Sequence, residues 1–168
     1  MAKLYCFSGL PGSGKSSLAR LLATRLKSQY IRIDTIEQAL RDLCQIEVEE
    51  QGYRLAYRIA QDSLSLGLDV IADSCNPVQV SRDDWNAIAT QTNSTIINIE
   101  IICSDPEQHR QRIESRSSEI PGLKLPTWSD VQNREYHPWQ TERIVIDTAS
   151  RSLETCLKEL IQKIELIP

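Results

Sequence analysis

The chain has few of the features that several classes of protein require. None of its 168 residues lie in an apolar run near the roughly 20 residues that span a bilayer, and the apolar segment at the N-terminus is too short for a signal peptide. The net charge of −4 provides no broad basic surface, which argues against a protein that coats nucleic acid. We therefore expect no membrane partner and no extended nucleic-acid partner.

Cysteine and histidine are too scattered for a metal site or a redox pair. The five cysteines form no C-x-x-C pair, and the two histidines have no partner at the spacing of a metal site or a catalytic triad. The cysteines are Cys6, Cys44, Cys75, Cys103 and Cys156. An odd, dispersed set of this kind predicts reduced thiols and a cytoplasmic protein.

Short apolar segments alternate with helical patterns along the chain. The segments are apolar on both faces, as is typical of buried parallel strands. They cover residues 3–8, 30–33, 69–73, 96–103 and 143–146. Strand and helix alternating five times predict an α/β sandwich around a parallel sheet.

Helix starts are marked by capping residues. Asp105 followed by Pro106 offers an N-cap and a proline at the first helical position. Ser81 with Asp84 and Thr127 with Asp130 suggest two further starts. The last helix is expected to bury one apolar stripe, formed by Leu153, Leu157, Leu160, Ile161 and Ile164.

The first segment leads into a phosphate-binding motif. Residues 9–16 read GLPGSGKS and fit G-x-x-x-x-G-K-[ST] at every fixed position. Glycines let successive backbone N–H groups approach an anion, and the following helix presents its positive end to it. Lys15 would reach the β- and γ-phosphates, and the Ser16 hydroxyl would bind Mg²⁺. The expected nucleotide-binding residues are Gly9, Pro11, Gly12, Ser13, Gly14, Lys15, Ser16 and Ser17.

Together with an aspartate that ends the second strand, Asp34, and one that ends the third, Asp73, this loop resembles the small P-loop kinases. That group includes adenylylsulfate kinase, gluconate kinase, chloramphenicol phosphotransferase, zeta toxin and the kinase half of polynucleotide kinase. The resemblance implies one P-loop kinase-like domain over residues 1–168, with a lid around residues 109–136. It also implies a three-layer sandwich around a five-stranded parallel sheet in the order 2-3-1-4-5.

The resemblance assigns roles to both aspartates. It implies that Asp34, at the end of its strand, is the base or the ligand of the substrate hydroxyl. It gives Asp73 a role in holding Mg²⁺ through water, although Asp73 could also touch substrate, and which of the two is the base stays open. The polynucleotide kinase pattern has an arginine three residues after its aspartate, where this chain has Glu37. That difference argues against nucleic-acid 5′-ends as substrates.

Further candidates lie in two later segments. A polar turn follows Asp73, and Asn76 in it and Arg82 after it are candidate substrate contacts. Equally, the two residues could be parts of a turn and of a capped helix. Arg112 and Arg116 are four residues apart, so on a helix they would share a face. Related kinases carry such arginines in a lid that neutralises charge in the transition state. The aromatic residues and both histidines are expected to be structural.

The favoured function is an Mg²⁺- and ATP-dependent kinase that acts on a small hydroxyl-bearing molecule. ATP is favoured over GTP because the chain has no N-K-x-D guanine motif. Two alternatives remain. Residues 35–68 could form the substrate insert of a nucleoside monophosphate kinase, or the chain could be an ATP-binding switch with slow hydrolysis. The sequence identifies neither the acceptor nor the oligomeric state.

Overall fold

The computed structural model describes residues 1–167, which form a parallel sheet with helices on both faces. The strands are β1 Lys3–Ser8, β2 Gln29–Arg32, β3 Val70–Asp73, β4 Thr95–Ile102 and β5 Ile144–Asp147. The helices are α1 Lys15–Leu26, α2 Ile33–Cys44, α3 Gln51–Ser65, α4 Gln79–Gln91, α5 Pro106–Ser115, α6 Trp128–Gln132 and α7 Leu153–Glu165.

The five strands lie in the order β2-β3-β1-β4-β5, and every pair is parallel. Since β1 is central, its carboxyl end meets the carboxyl ends of β3 and β4 at one edge of the sheet. Ligands bind at such an edge in open parallel sheets. The order and the sandwich confirm the fold expected from the sequence.

Two apolar layers enclose the sheet. On one face Leu18 and Leu22 of α1 and Leu160 of α7 pack against β1, β4 and β5. On the other face the small residues Ala56 and Ala60 of α3 and the indole of Trp85 on α4 pack against β1 and β3. The sheet therefore supplies a rigid platform for the loops at its edge.

The second strand ends earlier than the sequence predicted. β2 stops at Arg32, and α2 begins at Ile33 without an intervening loop. Ile33 is buried with β3 and α3, so its burial holds the start of the helix against the core. Asp34 is therefore in the first turn of a helix, and the expectation that it ends a strand is wrong.

Two of the three predicted helix starts are confirmed. Asp105 Oδ1 accepts from the N–H groups of Glu107 and Gln108 at 3.0 and 3.1 Å, and Thr127 and Asp130 form a reciprocal capping box. The start predicted at Ser81 is wrong because α4 already begins at Gln79, and the Ser81 hydroxyl donates to the Val78 carbonyl from inside the first turn.

The apolar stripe of α7 is confirmed except at its first residue. Leu160 and Ile164 are buried in the core together with Cys156, and Leu157 and Ile161 pack against it. Leu153, by contrast, lies at the start of the helix and is 42% exposed. Within residues 1–167, none of the helices has the length and apolar character needed to cross a membrane.

Candidate active site

A cavity of about 840 Å³ opens at the carboxyl edge of the sheet. The phosphate loop forms its floor, the first turns of α2 form one wall, and α5 with the segment that follows it forms the other. This volume is in the range of sites that enclose small molecules. The cavity therefore brings together three regions that are far apart in the sequence.

The phosphate loop is held by close packing on its outer side. Gly12 has φ of +81°, and a Cβ built on it would lie 2.6 Å from the Ile113 side chain of α5. Gly9 donates its N–H to the Cys75 carbonyl at 3.1 Å, which fixes the start of the loop to the turn after β3. Glycine at position 12 is thus required both by its backbone angle and by the nearness of α5.

A buried ion pair joins the loop to the third strand. Lys15 Nζ donates to Asp73 Oδ1 at 2.9 Å, and the Tyr30 hydroxyl donates to Asp73 Oδ2 at 2.6 Å. Burial by itself would raise the pKa of Asp73, but the charge of Lys15 and the bond from Tyr30 outweigh it and hold that pKa below its usual range. Burial opposes the charge of Lys15 as well, yet Asp73 raises the pKa of Lys15 above its ordinary value. Both groups are charged at neutral pH.

Ser16 and Asp73 carry oxygen donors of the kind that Mg²⁺ prefers. The Ser16 hydroxyl lies 3.4 Å from Lys15 Nζ, and it contributes to the lowered pKa of Asp73 by a hydrogen bond. A hydroxyl and a carboxylate beside a phosphate loop suit a hard cation that takes its other ligands from nucleotide phosphates and water. The donor set fits Mg²⁺.

Asp34 faces the cavity from the first turn of α2, and its side chain is 47% exposed. Its nearest cation is Arg32, whose Nε lies 4.0 Å from Asp34 Oδ2 and 3.9 Å from Asp73 Oδ2. Asp73, by contrast, is buried behind Lys15 and is absent from the cavity wall. Of the two aspartates, Asp34 is the one that a ligand in the cavity could reach.

The sequence reasoning missed the rest of this helix face. Glu37, Gln38 and Arg41 line the cavity one and two turns after Asp34. Burial raises the pKa of Glu37, although Arg41, with Nη2 3.4 Å from Glu37 Oε2, acts in the opposite direction. A helix that begins near residue 34 would place all three residues on the same face as Asp34, since they follow it at helical spacing. Asp34 was expected from the sequence to end a strand, and this shared face was therefore not predicted.

The two lid arginines have different environments. Arg112 Nη1 donates to Thr148 Oγ1 at 2.7 Å, and its Nη2 donates to the Thr148 carbonyl and Gln108 Oε1. Arg116 follows the end of α5 with an extended backbone, so the expectation that it shares a helix face with Arg112 is wrong. Within residues 1–167, the buried Nε and Nη2 of Arg116 have no hydrogen-bond partner. Burial lowers the pKa of Arg116, and the carboxylate of Asp34 partly offsets this effect. Arg116 thus lines the cavity with two guanidinium nitrogens that no described protein group satisfies.

The segment after Arg116 closes the cavity from above. Residues 122–126 line it, and Lys124 and Arg134 add two cations. Glu119 connects this segment to the body of the protein, since its carboxylate pairs with Arg20 of α1 and lies 3.6 Å from Arg32 Nη1. Ion pairs therefore hold the segment over the cavity.

Comparison with known proteins agrees with this architecture. Residues 4–132 match the AAA domain family. The chain belongs to that family. A curated relative, the Lon protease of Karelsulcia muelleri, is 34% identical over 109 residues, or 64% of this chain. The chain spans only 12% of the length of that relative.

Solved structures resemble this AAA domain over nearly its whole length. The gluconokinase of Sinorhizobium meliloti is 14% identical with a TM-score of 0.70, covering 97% of this chain and 91% of its own. The APS kinase of Mycobacterium tuberculosis, solved with AMPPNP and APS, is 16% identical with a TM-score of 0.69 and 98% coverage of both chains. Kti12 of Chaetomium thermophilum, solved with ADP-AlF3, is 21% identical with a TM-score of 0.70, covering 96% and 97%. These likenesses establish the fold of the small P-loop kinases.

Two candidate substrate residues are parts of the framework of this AAA domain. Arg82 is 1% exposed, does not line the cavity, and donates to the carbonyls of Asn76, Pro77, His137 and Pro138. Its guanidinium carbon lies 4.1 Å from the centre of the Trp139 ring. Asn76 is fully buried, with its amide donating to Cys6 Sγ. The structure thus contradicts a substrate contact for either residue, because neither side chain reaches the cavity.

The framework role of Arg82 can be measured. We expect Arg82→Lys to lower the free energy of unfolding by about 2–4 kcal/mol, because an ammonium cannot serve several carbonyls in one plane and leaves buried acceptors unsatisfied. Urea unfolding measures this loss, and the affinity for Mg-ATP should stay within about twofold since the cavity is untouched. Unchanged stability combined with lost turnover would contradict the framework role and would support a contact between Arg82 and the substrate.

The expectation that the aromatic residues serve packing agrees with their positions. Trp85 is fully buried, and its ring centre lies 4.6 Å from that of Tyr57 in an edge-to-face arrangement. Trp128 contacts the His109 ring in the same manner at 5.3 Å. None of these four rings lines the cavity.

Proposed function

We propose that this AAA domain is an ATP-dependent kinase that transfers the γ-phosphoryl group to a hydroxyl of a small molecule. One observation carries the proposal: a reachable carboxylate, Asp34, and an unsatisfied guanidinium, Arg116, line the same cavity as the phosphate loop. Phosphoryl transfer needs these parts, namely an acceptor for the hydroxyl proton and a cation for the developing charge.

The cavity residues divide into two groups under this proposal. The loop from Gly9 to Ser17 would hold the nucleotide phosphates, with Lys15 leaving Asp73 to reach them. Ser16 and Asp73 would hold Mg²⁺, which when bound neutralises phosphate charge. Asp34 would orient the acceptor hydroxyl and accept its proton, and Arg116 would stabilise the transferred group. The face formed by Glu37, Gln38 and Arg41 would contact the rest of the acceptor.

The different environments of the two lid arginines predict different kinetic effects. Arg116→Ala should lower kcat by about 10²-fold, because a free guanidinium facing the cavity is available to the transferred phosphoryl group. Arg112→Ala should chiefly raise KM for ATP, since its donors are used to hold the Thr148 loop. Steady-state kinetics on an identified acceptor separates the two effects.

Arg110→Ala is the matched control, because Arg110 is exposed on the same helix and paired with Glu114 at 2.8 Å. Its kinetic constants should equal those of the parent. Equal kcat losses in Arg112→Ala and Arg116→Ala would contradict the division of roles.

A screen for acceptors tests the proposed function itself. Purified protein with Mg-ATP should release ADP faster in the presence of at least one compound among nucleosides, sugars and amino alcohols. Mass spectrometry should detect that compound with one added phosphoryl group. Stimulated ADP release without any phosphorylated product would contradict a kinase and favour an ATP-hydrolysing switch.

A nucleoside monophosphate is a second candidate acceptor. Arg41, Lys124 and Arg134 add positive charge to the part of the cavity outside the phosphate loop. These cations could bind an acceptor phosphate, and transfer to a phosphate oxygen needs no general base. Inclusion of nucleoside monophosphates in the same screen distinguishes the two acceptors.

A further inference from the structure

Two side chains on the outer side of the phosphate loop each hold one of its carbonyl groups. His109 of α5 is buried, and its Nε2 lies 2.7 Å from the Pro11 carbonyl oxygen. Because a carbonyl can only accept, His109 must carry its proton on Nε2. Thr148, which follows β5 and is also buried, donates its hydroxyl to the Ser13 carbonyl at 2.7 Å.

The two contacts fix the orientation of two peptide groups. In a trans peptide the C=O and the following N–H point in opposite directions, and the described chain has no cis peptide. The carbonyl of Pro11 shares its peptide with the N–H of Gly12, and that of Ser13 with the N–H of Gly14. Each N–H therefore points away from the residue that holds the carbonyl. Among residues 1–167, neither N–H has a hydrogen-bond acceptor.

We propose that His109 and Thr148 are positioning residues that orient the Gly12 and Gly14 N–H groups toward the nucleotide phosphates. Glycines in a loop are free to rotate these peptide planes, and an oriented donor binds an anion without the cost of ordering it first. The inference rests on the nucleotide site of the proposed function but not on transfer to an acceptor.

The two residues also connect the loop to the lid and to the last strand. His109 and Arg112 lie on the same helix, and Arg112 donates to Thr148 Oγ1 while Thr148 donates to Ser13. His109 contacts Trp128 of α6. A displacement of α5 would therefore release the Pro11 carbonyl and remove the contact from Arg112 to Thr148. The proposal thus links the position of the lid helix to affinity for phosphate.

The experiment compares a variant that removes each donor with one that keeps it. His109→Met fills the space without a donor, whereas His109→Gln places an amide N–H near the position of Nε2. Thr148→Val removes the hydroxyl at constant shape, whereas Thr148→Ser keeps it. Competition against a fluorescent ATP analogue gives the affinity for Mg-ATP and for inorganic tripolyphosphate, a probe that lacks the nucleoside.

We expect His109→Met and Thr148→Val to weaken both ligands by about five- to tenfold, the effect of one hydrogen bond. His109→Gln and Thr148→Ser should stay within about threefold of the parent. Leu160→Val, in the core under α7, controls for stability: it should lower the melting temperature without weakening tripolyphosphate.

Parent-like affinity in His109→Met and Thr148→Val would overturn the proposal. So would equal losses in the donor-keeping variants, or affinity that follows melting temperature across all variants. A parent that binds neither ligand would overturn the nucleotide site and the proposal together. A parent that binds ATP through these residues but phosphorylates nothing would leave the proposal standing and remove the kinase function.

Discussion

Replacing Lys15 with methionine will reduce nucleotide turnover by about 10²- to 10³-fold, the loss found when one charge-stabilising donor is removed. It will also destabilise the ligand-free protein, because Lys15 is the cationic partner of the buried Asp73 carboxylate. Breaking a buried pair on one side costs about 3–5 kcal/mol. Turnover is measured with Mg-ATP and stability by urea unfolding without ligand.

The matched variant removes both charges. In the double variant Lys15→Met with Asp73→Asn, the asparagine oxygen can still accept the Tyr30 hydroxyl, and no unpaired charge remains. We expect the double variant to recover most of the stability that Lys15→Met loses, while its turnover stays as low. Parent-like turnover in Lys15→Met would contradict the phosphate-loop assignment. If the stability losses of the two single variants simply added in the double variant, that result would contradict the ion pair.

The pair also predicts how stability depends on pH. The pKa of Asp73 is held below its ordinary value of 3.8, so its contribution is present above that value and is lost as the pH falls through the lowered pKa. The pKa of Lys15 is raised above 10.5, so its contribution is present below that value and is lost as the pH rises through the raised pKa. The stability difference between parent and Lys15→Met should thus be largest between these limits and should shrink in acid.

The sheet could be predicted because its signals are local. Strands buried on both faces appear as short apolar segments, and the phosphate motif fixes the turn between β1 and α1. The capping residues of α5 and α6 acted as expected because their bonds span only two or three residues. The start of α2 was missed because it has no capping side chain, and burial of Ile33 determines it.

The site could be predicted only where a motif fixes it. Lys15 and Asp34 line the cavity as the sequence indicated, but Arg82 could not be separated from a substrate contact without knowing that distant carbonyls surround it. Likewise Arg112 and Arg116 are alike in sequence, and contacts to Thr148, 36 residues after Arg112, help to distinguish them. Contacts between residues so far apart in the sequence leave no pattern in a single chain.

The role of Asp34 distinguishes a kinase that acts on a hydroxyl from one that acts on a nucleoside monophosphate. Its carboxylate reaches the cavity from the first turn of α2, whereas Asp73 is engaged by Lys15 and Tyr30. Because Asp34 is about half exposed and its nearest cation is 4.0 Å away, loss of its charge should change stability by less than about 1 kcal/mol. Any large effect of the substitution on transfer would then come from the chemistry.

We expect Asp34→Asn to lower phosphoryl transfer by about 10²- to 10⁴-fold, the range that general-base catalysis supplies, since asparagine keeps the shape but cannot accept the proton. Affinity for Mg-ATP, measured by calorimetry, should stay within a few-fold. Asp62→Asn on the exposed side of α3 is the control and should behave as the parent does. Transfer at the parent rate in Asp34→Asn would refute the base assignment and favour a nucleoside monophosphate as the acceptor, because its phosphate oxygen attacks without losing a proton.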